Sequence, residues 1–225
     1  MNTINGVLFD FNGTLFFDSP LHVTAWDAIS MELGAGHVTR TDLDTKFSGL
    51  PNKEILKRMV GGSREPAFYD AYSRRKEAMY RKAALALPGG PQLTAGAPEL
   101  FDYLRAHQIP FTIASASIKE NIDFFMDAFH LDRWLREEDI VYDDGSYQDK
   151  LGMFLEAEKR IGIDAGALIF EDSLTGIRGG AAVPGSRLIV IESASLEDIY
   201  PQYPSILLKI HNFRDAMPLI RKLIP

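Results

Sequence analysis

Residues 4–14, Ile4-Asn5-Gly6-Val7-Leu8-Phe9-Asp10-Phe11-Asn12-Gly13-Thr14, join a short apolar run to an acid and then to turn chemistry. An apolar run of this length, closed by turn residues, predicts a buried strand ending at Asp10. Outward from it the texture changes. From Asp18 to about Leu87 it is helical: Ser19-Pro20 offers an N-cap and a first-turn proline, His22 to Leu33 carries apolar residues at helical spacing, and Gly34-Ala35-Gly36 ends the segment. Two further helices are expected over 53–60 and 65–87, parted by Gly61-Gly62, and no strand. Beyond Pro88-Gly89-Gly90-Pro91, helices and strands alternate. Helices are expected over 97–107, 119–129, 153–161, 175–182 and 213–223, and strands over 111–114, 140–142, 167–171, 188–191 and 206–210. That alternation predicts an α/β fold, a doubly wound parallel sheet covered on both faces. The core would comprise residues 1–17 and 88–225, with an all-helical cap, residues 18–87, inserted after the first strand.

Composition narrows the function. Hydrophobic residues make up 46% of the 225 and charged residues 24%, as in ordinary globular proteins, which excludes wholesale disorder. With 24 Lys and Arg against 31 Asp and Glu, the net charge is −7, which argues against a binder of nucleic-acid backbones. A phosphorylated metabolite needs only a local positive site and stays allowed. Cysteine is absent, which rules out disulfides, thiol nucleophiles and thiolate metal sites. The first apolar run is short and lacks a basic leader, unlike a signal peptide. No stretch approaches the roughly 18 uninterrupted apolar residues of a membrane span. The expectation is a soluble, cytoplasmic monomer with no nucleic-acid or membrane partner.

In open parallel sheets, ligands collect at the carboxyl ends of the strands. The residues expected there are Asp10, Ser115 and Glu171-Asp172, with Lys150 in the loop before the helix at Met153. An acid after an apolar run is usually a turn or cap residue, but four such groups at one sheet edge are hard to explain as caps. Carboxylates massed together repel and raise one another's pKa. A divalent cation relieves this, and an all-oxygen site suits Mg²⁺, which binds through one or two carboxylates, waters and a substrate phosphate.

Three segments carry a resemblance. Phe9-Asp10-Phe11-Asn12-Gly13-Thr14-Leu15, Ile113-Ala114-Ser115-Ala116-Ser117, and Ile169-Phe170-Glu171-Asp172-Ser173 followed by Gly176-Ile177 resemble the motifs of the haloacid dehalogenase superfamily. The likeness is to the helical-cap branch that includes β-phosphoglucomutase and many sugar-phosphate phosphatases. Leu21-His22-Val23-Thr24-Ala25-Trp26, the stretch Gly49 to Leu56, and Lys76 resemble that branch's cap. The resemblance implies a Rossmann-like core in which Asp10 attacks phosphorus and becomes an aspartyl-phosphate. It implies Mg²⁺ held by Asp10, the backbone carbonyl of Asn12 and Asp172, with Glu171 assisting through water. Ser115 would donate to a phosphoryl oxygen, and Lys150 would supply positive charge beside Asp10.

Two departures from the family pattern stand out. At Asn12 the pattern has an aspartate that protonates the leaving group and then deprotonates the attacking water or hydroxyl. A carboxamide cannot cycle a proton near neutral pH, and general acid–base help is worth roughly 10²–10⁴-fold. His22 is the titratable candidate to replace it, against the plainer reading of a packing residue. The second departure is at Lys150, since Asp149-Lys150-Leu151-Gly152 lacks the usual Lys-Pro. Either Lys150 keeps the role despite a local shift, which the need for a cation favours, or Gln148 takes its position. Substrate contacts are expected from Ser115, Ala116, Ser117, Lys119 and Asn121 after the second motif, and from His22, Gly49, Lys53 and Lys76 in the cap. Asn52 falls where the mutase pattern has an arginine, which favours hydrolase over mutase. The expected function is a Mg²⁺-dependent phosphohydrolase acting on a small phosphorylated metabolite. The alternatives are a β-phosphoglucomutase-like phosphotransferase, or a catalytically impaired relative that binds a phosphorylated ligand.

Overall fold

A computed structural model describes residues 4–47 and 50–224, apart from the side chain of Asp44. Six strands form one parallel sheet: β1 (Gly6–Phe9), β2 (Phe111–Ser115), β3 (Val141–Tyr142), β4 (Ala167–Glu171), β5 (Arg187–Ile191) and β6 (Ile206–Ile210). Their order is β3-β2-β1-β4-β5-β6. The order reverses direction between β1 and β4, which pair from Gly6 with Ala167 to Phe9 with Phe170. Such a switch point opens a crevice at the carboxyl ends of the strands. The α/β fold and parallel sheet expected from the sequence are observed.

The helices are α1 (Ser19–Glu32), α2 (Arg40–Thr45), α3 (Asn52–Val60), α4 (Pro66–Leu85), α5 (Ala97–Ala106), α6 (Lys119–Ala128), α7 (Lys150–Arg160), α8 (Leu174–Ala182) and α9 (Phe213–Leu223). Strands buried on both faces read as continuous apolar runs, and β1, β2 and β4 are buried along their whole length. On one face of the sheet Leu8, Ala114, Ile169 and Val190 meet Met153, Phe154 and Ala157 of α7 and Ile177 of α8. On the other, Phe9 stacks on Phe170 with ring centroids 5.0 Å apart and meets Phe101 of α5 edge-on at 5.1 Å. Phe213 of α9 closes that aromatic group 5.1 Å from Phe170.

The chain divides into two compact units, one of residues Met1–Phe17 and Gln92–Pro225, the other of Asp18–Pro91. The second contains α1 to α4 and, among its described residues, no strand. It has its own core, built on Trp26, Ile29, Val38, Ile55, Leu56 and Tyr69.

Two local expectations are corrected. Helix α2 is absent from the sequence reading; its six residues are too few to display a period, and a Thr39/Asp42 capping box holds its start. Lys150 is not in a loop before a helix but is the first residue of α7. Asp149 caps that helix, accepting a hydrogen bond from the Gly152 backbone, so the helix begins three residues before Met153.

Helix α8 crosses α7 closely at Gly179, where an added Cβ would lie 2.8 Å from both the Leu151 backbone nitrogen and Lys150 Cβ. Backbone cannot yield as a side chain can. Gly179→Ala is therefore expected to destabilise the chain by about 1–3 kcal/mol through overpacking. Thermal denaturation checks this, with a fall of about 2–4 °C per kcal/mol for a chain of this size.

Candidate active site

Asp10 follows β1 directly, and its backbone N–H donates to Phe170 O at 2.9 Å, which carries the β1–β4 pairing one step further. The chain then turns sharply. Phe11 is buried, its ring stacked on Phe125 of α6 at 3.8 Å. Its carbonyl accepts from the backbone N–H groups of Thr14 and Phe16, at 3.2 and 3.0 Å. Gly13 sits at φ +80°, and a Cβ there would lie 2.1 Å from Asp172 Oδ2, so only glycine lets the two loops approach. Thr14 Oγ1 donates to Asp172 Oδ1 at 3.3 Å. Thr94 pins the far side of the turn, its hydroxyl donating to Thr14 O and its N–H to Leu15 O, both at 2.8 Å.

Lys150 projects from the start of α7 into this edge. Its Nζ lies 2.5 Å from Asp10 Oδ1, 3.2 Å from Glu171 Oε1 and 2.9 Å from the Ala114 carbonyl. The first motif's carboxylate and Lys150 are thus in direct contact. Glu171, fully buried at the end of β4, uses Oε2 to accept from the backbone N–H groups of Asp172 and Ser173, both at 2.7 Å. Its Oε1 makes no hydrogen bond, and the ammonium 3.2 Å away is an ion-pair contact. Gly176 makes room for this carboxylate, since a Cβ there would fall 1.7 Å from Oε1.

Burial pushes the Asp10 carboxyl up to about 7, against the pull of the Lys150 ammonium and with a further push from the Glu171 carboxylate. Burial also opposes charge on Lys150, but Asp10 and Glu171 outweigh it and hold its pKa above the usual lysine value. Asp10, Glu171 and Asp172 each place a carboxylate oxygen within 4.8 Å of the others. Three carboxylates face one ammonium, and Glu171 Oε1 is buried without a hydrogen bond. This donor set of hard oxygens fits a divalent cation of the Mg²⁺ class.

At the end of β2, Ser117 Oγ donates to Asn12 Oδ1 at 2.6 Å, and Ser115 Oγ lies 3.4 Å from the same atom. Ala116 between them is exposed. Asp10, Asn12, Ser115, Ser117, Lys150, Glu171 and Asp172 thus come together at one edge of the α/β unit. Lys119 and Asn121 lie on α6. Lys119 pairs with Asp123 and Glu137, and Asn121 is buried.

The cap candidates are held within the helical unit. Lys76 Nζ is buried, 2.8 Å from both Glu77 Oε1 and His22 Nδ1. Burial lowers its pKa despite the Glu77 carboxylate. A charged Lys76 has only hydrogens to give, so His22 Nδ1 must accept and Nε2 must carry the ring hydrogen. That nitrogen lies 3.3 Å from Asp18 Oδ2, and the ring stacks on Tyr80 at 4.3 Å. Both ring nitrogens of His22 are engaged inside the cap. Asn52 donates to Ser73 and Glu77 at 3.0 and 2.7 Å, and Lys53 pairs with Asp70 at 2.8 Å. Gly49 lies outside the described residues.

Comparison with known proteins places the chain in a class. A sequence model of the haloacid dehalogenase-like hydrolases matches residues 4–183, and the chain belongs to that family. A Saccharomyces cerevisiae protein named as a probable pseudouridine-5'-phosphatase is 28% identical over 117 residues, 52% of this chain and 47% of that protein. The chain thus spans about half the length of that relative. The structure of a family IA, variant 3 hydrolase from Entamoeba histolytica is 28% identical, covering 98% of this chain and 99% of its own, with a TM-score of 0.87. β-Phosphoglucomutase from Clostridium difficile shares the fold, with a TM-score of 0.74 at 16% identity over 99% of this chain and 97% of its own. Among the described residues no helix is long and apolar enough to cross a membrane.

The raised Asp10 pKa has a definite sign. Between the ordinary 3.8 and about 7 the folded chain binds a proton that the unfolded chain releases. The stability contributed by this group is therefore greatest below that window and falls as pH rises through it. In chelator, the melting temperature is expected to drop from pH 5 to pH 8 more steeply for the unaltered protein than for Asp10→Asn. Equal slopes would show that Asp10 is not the group titrating.

Proposed function

We propose that this hydrolase is a Mg²⁺-dependent phosphatase that acts on a small phosphorylated metabolite through an aspartyl-phosphate on Asp10. The observation that carries the reading is the Lys150 ammonium 2.5 Å from Asp10, beside the three-carboxylate cluster at the sheet's switch point. Asp10, the backbone carbonyl of Asn12 and Asp172 would hold the cation, with Glu171 assisting through water. When bound, the ion neutralises negative charge on the nucleophile and phosphoryl group, which would otherwise repel.

Lys150 does two things. It keeps one Asp10 oxygen in place, and it adds positive charge where phosphoryl oxygens gather. Ser115, buried at the end of β2, has a hydroxyl able to turn to a phosphoryl oxygen. Asp10 attacks phosphorus as the bond to the leaving oxygen breaks, and water later attacks the same phosphorus, releasing phosphate and regenerating the carboxylate. Asn12 supplies no proton to the leaving oxygen and takes none from the water. The first step is then slow for poor leaving groups, the second is slow whatever the substrate for want of a base, and aryl or acyl phosphates are the favoured substrates.

His22 does not fit the vacant acid–base role, since Lys76 and Asp18 occupy its two nitrogens. Hydrolysis is favoured over phosphoryl transfer within a bisphosphate. Asn52, where the mutase pattern has an arginine, spends its amide on Ser73 and Glu77.

The test mixes the protein with an activated aryl phosphate and Mg²⁺ and follows its intact mass. One phosphoryl group on Asp10, lost slowly, is expected, with none on Asp10→Asn and none in chelator. Asn12→Asp should raise steady turnover by roughly 10²–10⁴-fold, the usual worth of general acid–base help. Fast turnover by the unaltered protein with no trapped phosphoryl group would reject the reading.

A further inference from the structure

The turn after Asp10 closes on itself. Gly13 N donates to Phe16 O at 2.8 Å, and Phe11 O accepts from Thr14 N and Phe16 N. These bonds fix the shape of the turn but not its place against the sheet. Attachment comes from elsewhere. The rings of Phe11 and Phe16 pack on Phe125 and Phe129. At the far end the Thr94 hydroxyl donates to Thr14 O and its N–H to Leu15 O, both at 2.8 Å. Thr94 and Thr14 are both buried, so water is no ready substitute for that hydroxyl. Residues 14–15 and 94 also flank both places where the chain passes between its two units, 17–18 and 91–92. Along the chain, movement in either link meets the Thr94 bonds before it reaches Asn12 or Asp10.

We propose that Thr94 is a positioning residue for the metal site: its hydroxyl, through Thr14 O, holds the turn so that the Asn12 backbone carbonyl keeps its place for Mg²⁺. This role rests on the Mg²⁺-dependent phosphatase reading given above and adds to it a residue that acts through the backbone. The Asn12 carbonyl lies two residues before Thr14 on the same turn. Peptide units are rigid planes, so a shift of Thr14 is passed back to it. Groups that orient metal ligands are worth about 10–100-fold in metal affinity when lost. Thr94 belongs to none of the three family-like segments of the sequence.

The test compares Thr94→Val, which keeps the size and loses the hydroxyl, with Thr94→Ser, which keeps the hydroxyl. Mg²⁺ binding is measured by isothermal titration calorimetry on the folded proteins. Thr94→Val should raise the Mg²⁺ Kd roughly tenfold or more, and Thr94→Ser should bind as the unaltered protein does. With para-nitrophenyl phosphate at saturating Mg²⁺, kcat of Thr94→Val should fall with KM unchanged, as expected when no substrate contact is lost. Hydrogen exchange without metal gives a readout independent of binding and turnover. The Gly13, Thr14 and Phe16 amides should exchange faster in Thr94→Val than in the unaltered protein.

An unchanged Kd in a folded Thr94→Val, or a loss that Thr94→Ser shares, would reduce Thr94 to packing and overturn the proposal. Unchanged exchange of the turn amides would do the same. If the unaltered protein itself binds no Mg²⁺, the metal reading fails, while the exchange comparison still decides whether Thr94 holds the turn. Should Thr94→Val not fold, the unaltered protein answers alone. Its Thr14 and Thr94 amides should then open in one shared event, their protection falling together in mild denaturant. Opening of Thr14 well before Thr94 would refute the tie.

Discussion

Everything at the sheet edge depends on a buried ammonium. Lys150 meets Asp10 and Glu171 where all three are nearly sealed from water. Buried charges are tolerated only when paired, and removing one partner from such a group costs about 3–5 kcal/mol. The fold is arranged to deliver the cation there. Asp149 starts α7 at Lys150, and Gly179 lets α8 press against that first turn. Even so, three carboxylates against one ammonium leave an excess of negative charge that a divalent ion would offset. The charge balance, more than any single residue, makes the edge a site for phosphate chemistry.

The sequence exposes the sheet well and its fine joints poorly. Strands β4 and β6 are legible to the residue because their apolar runs stop at an acid or a turn. The start of α7 is not, since Gly152 reads as a break in the pattern while Asp149 already provides the cap. Asp10, Ser115, Glu171 and Asp172 declare themselves by standing at strand ends. Gly179 and Thr94 give no such signal, because their importance lies in what they touch at long range: Gly179 the Lys150 backbone, Thr94 the turn after Asp10. Gly176 can be seen only as part of a motif; its reason, space for the Glu171 carboxylate, is a matter of three dimensions.

The same limit applies to His22. A lone titratable residue at a helix start suggests a replacement base, yet Lys76 and Asp18 fix its tautomer and occupy both nitrogens. Lys53 and Lys119, expected among the substrate contacts, pair with Asp70 and with Asp123 and Glu137. Charge in a sequence is potential; pairing in the fold decides what remains to meet a ligand. Lys150 is itself paired, but with the groups that a substrate phosphate and a cation would join.

The central claim is that this chain keeps a nucleophile and its charge partners while lacking a proton donor for the leaving group. It is tested most directly by the dependence of kcat/KM on the leaving group, across aryl phosphates from nitrophenols to phenol and then simple alkyl phosphates. The unaltered protein should show a steep fall in log kcat/KM as the leaving group becomes more basic, and Asn12→Asp a shallow one. A shallow slope for both would mean that another residue protonates the leaving oxygen, and would contradict the account.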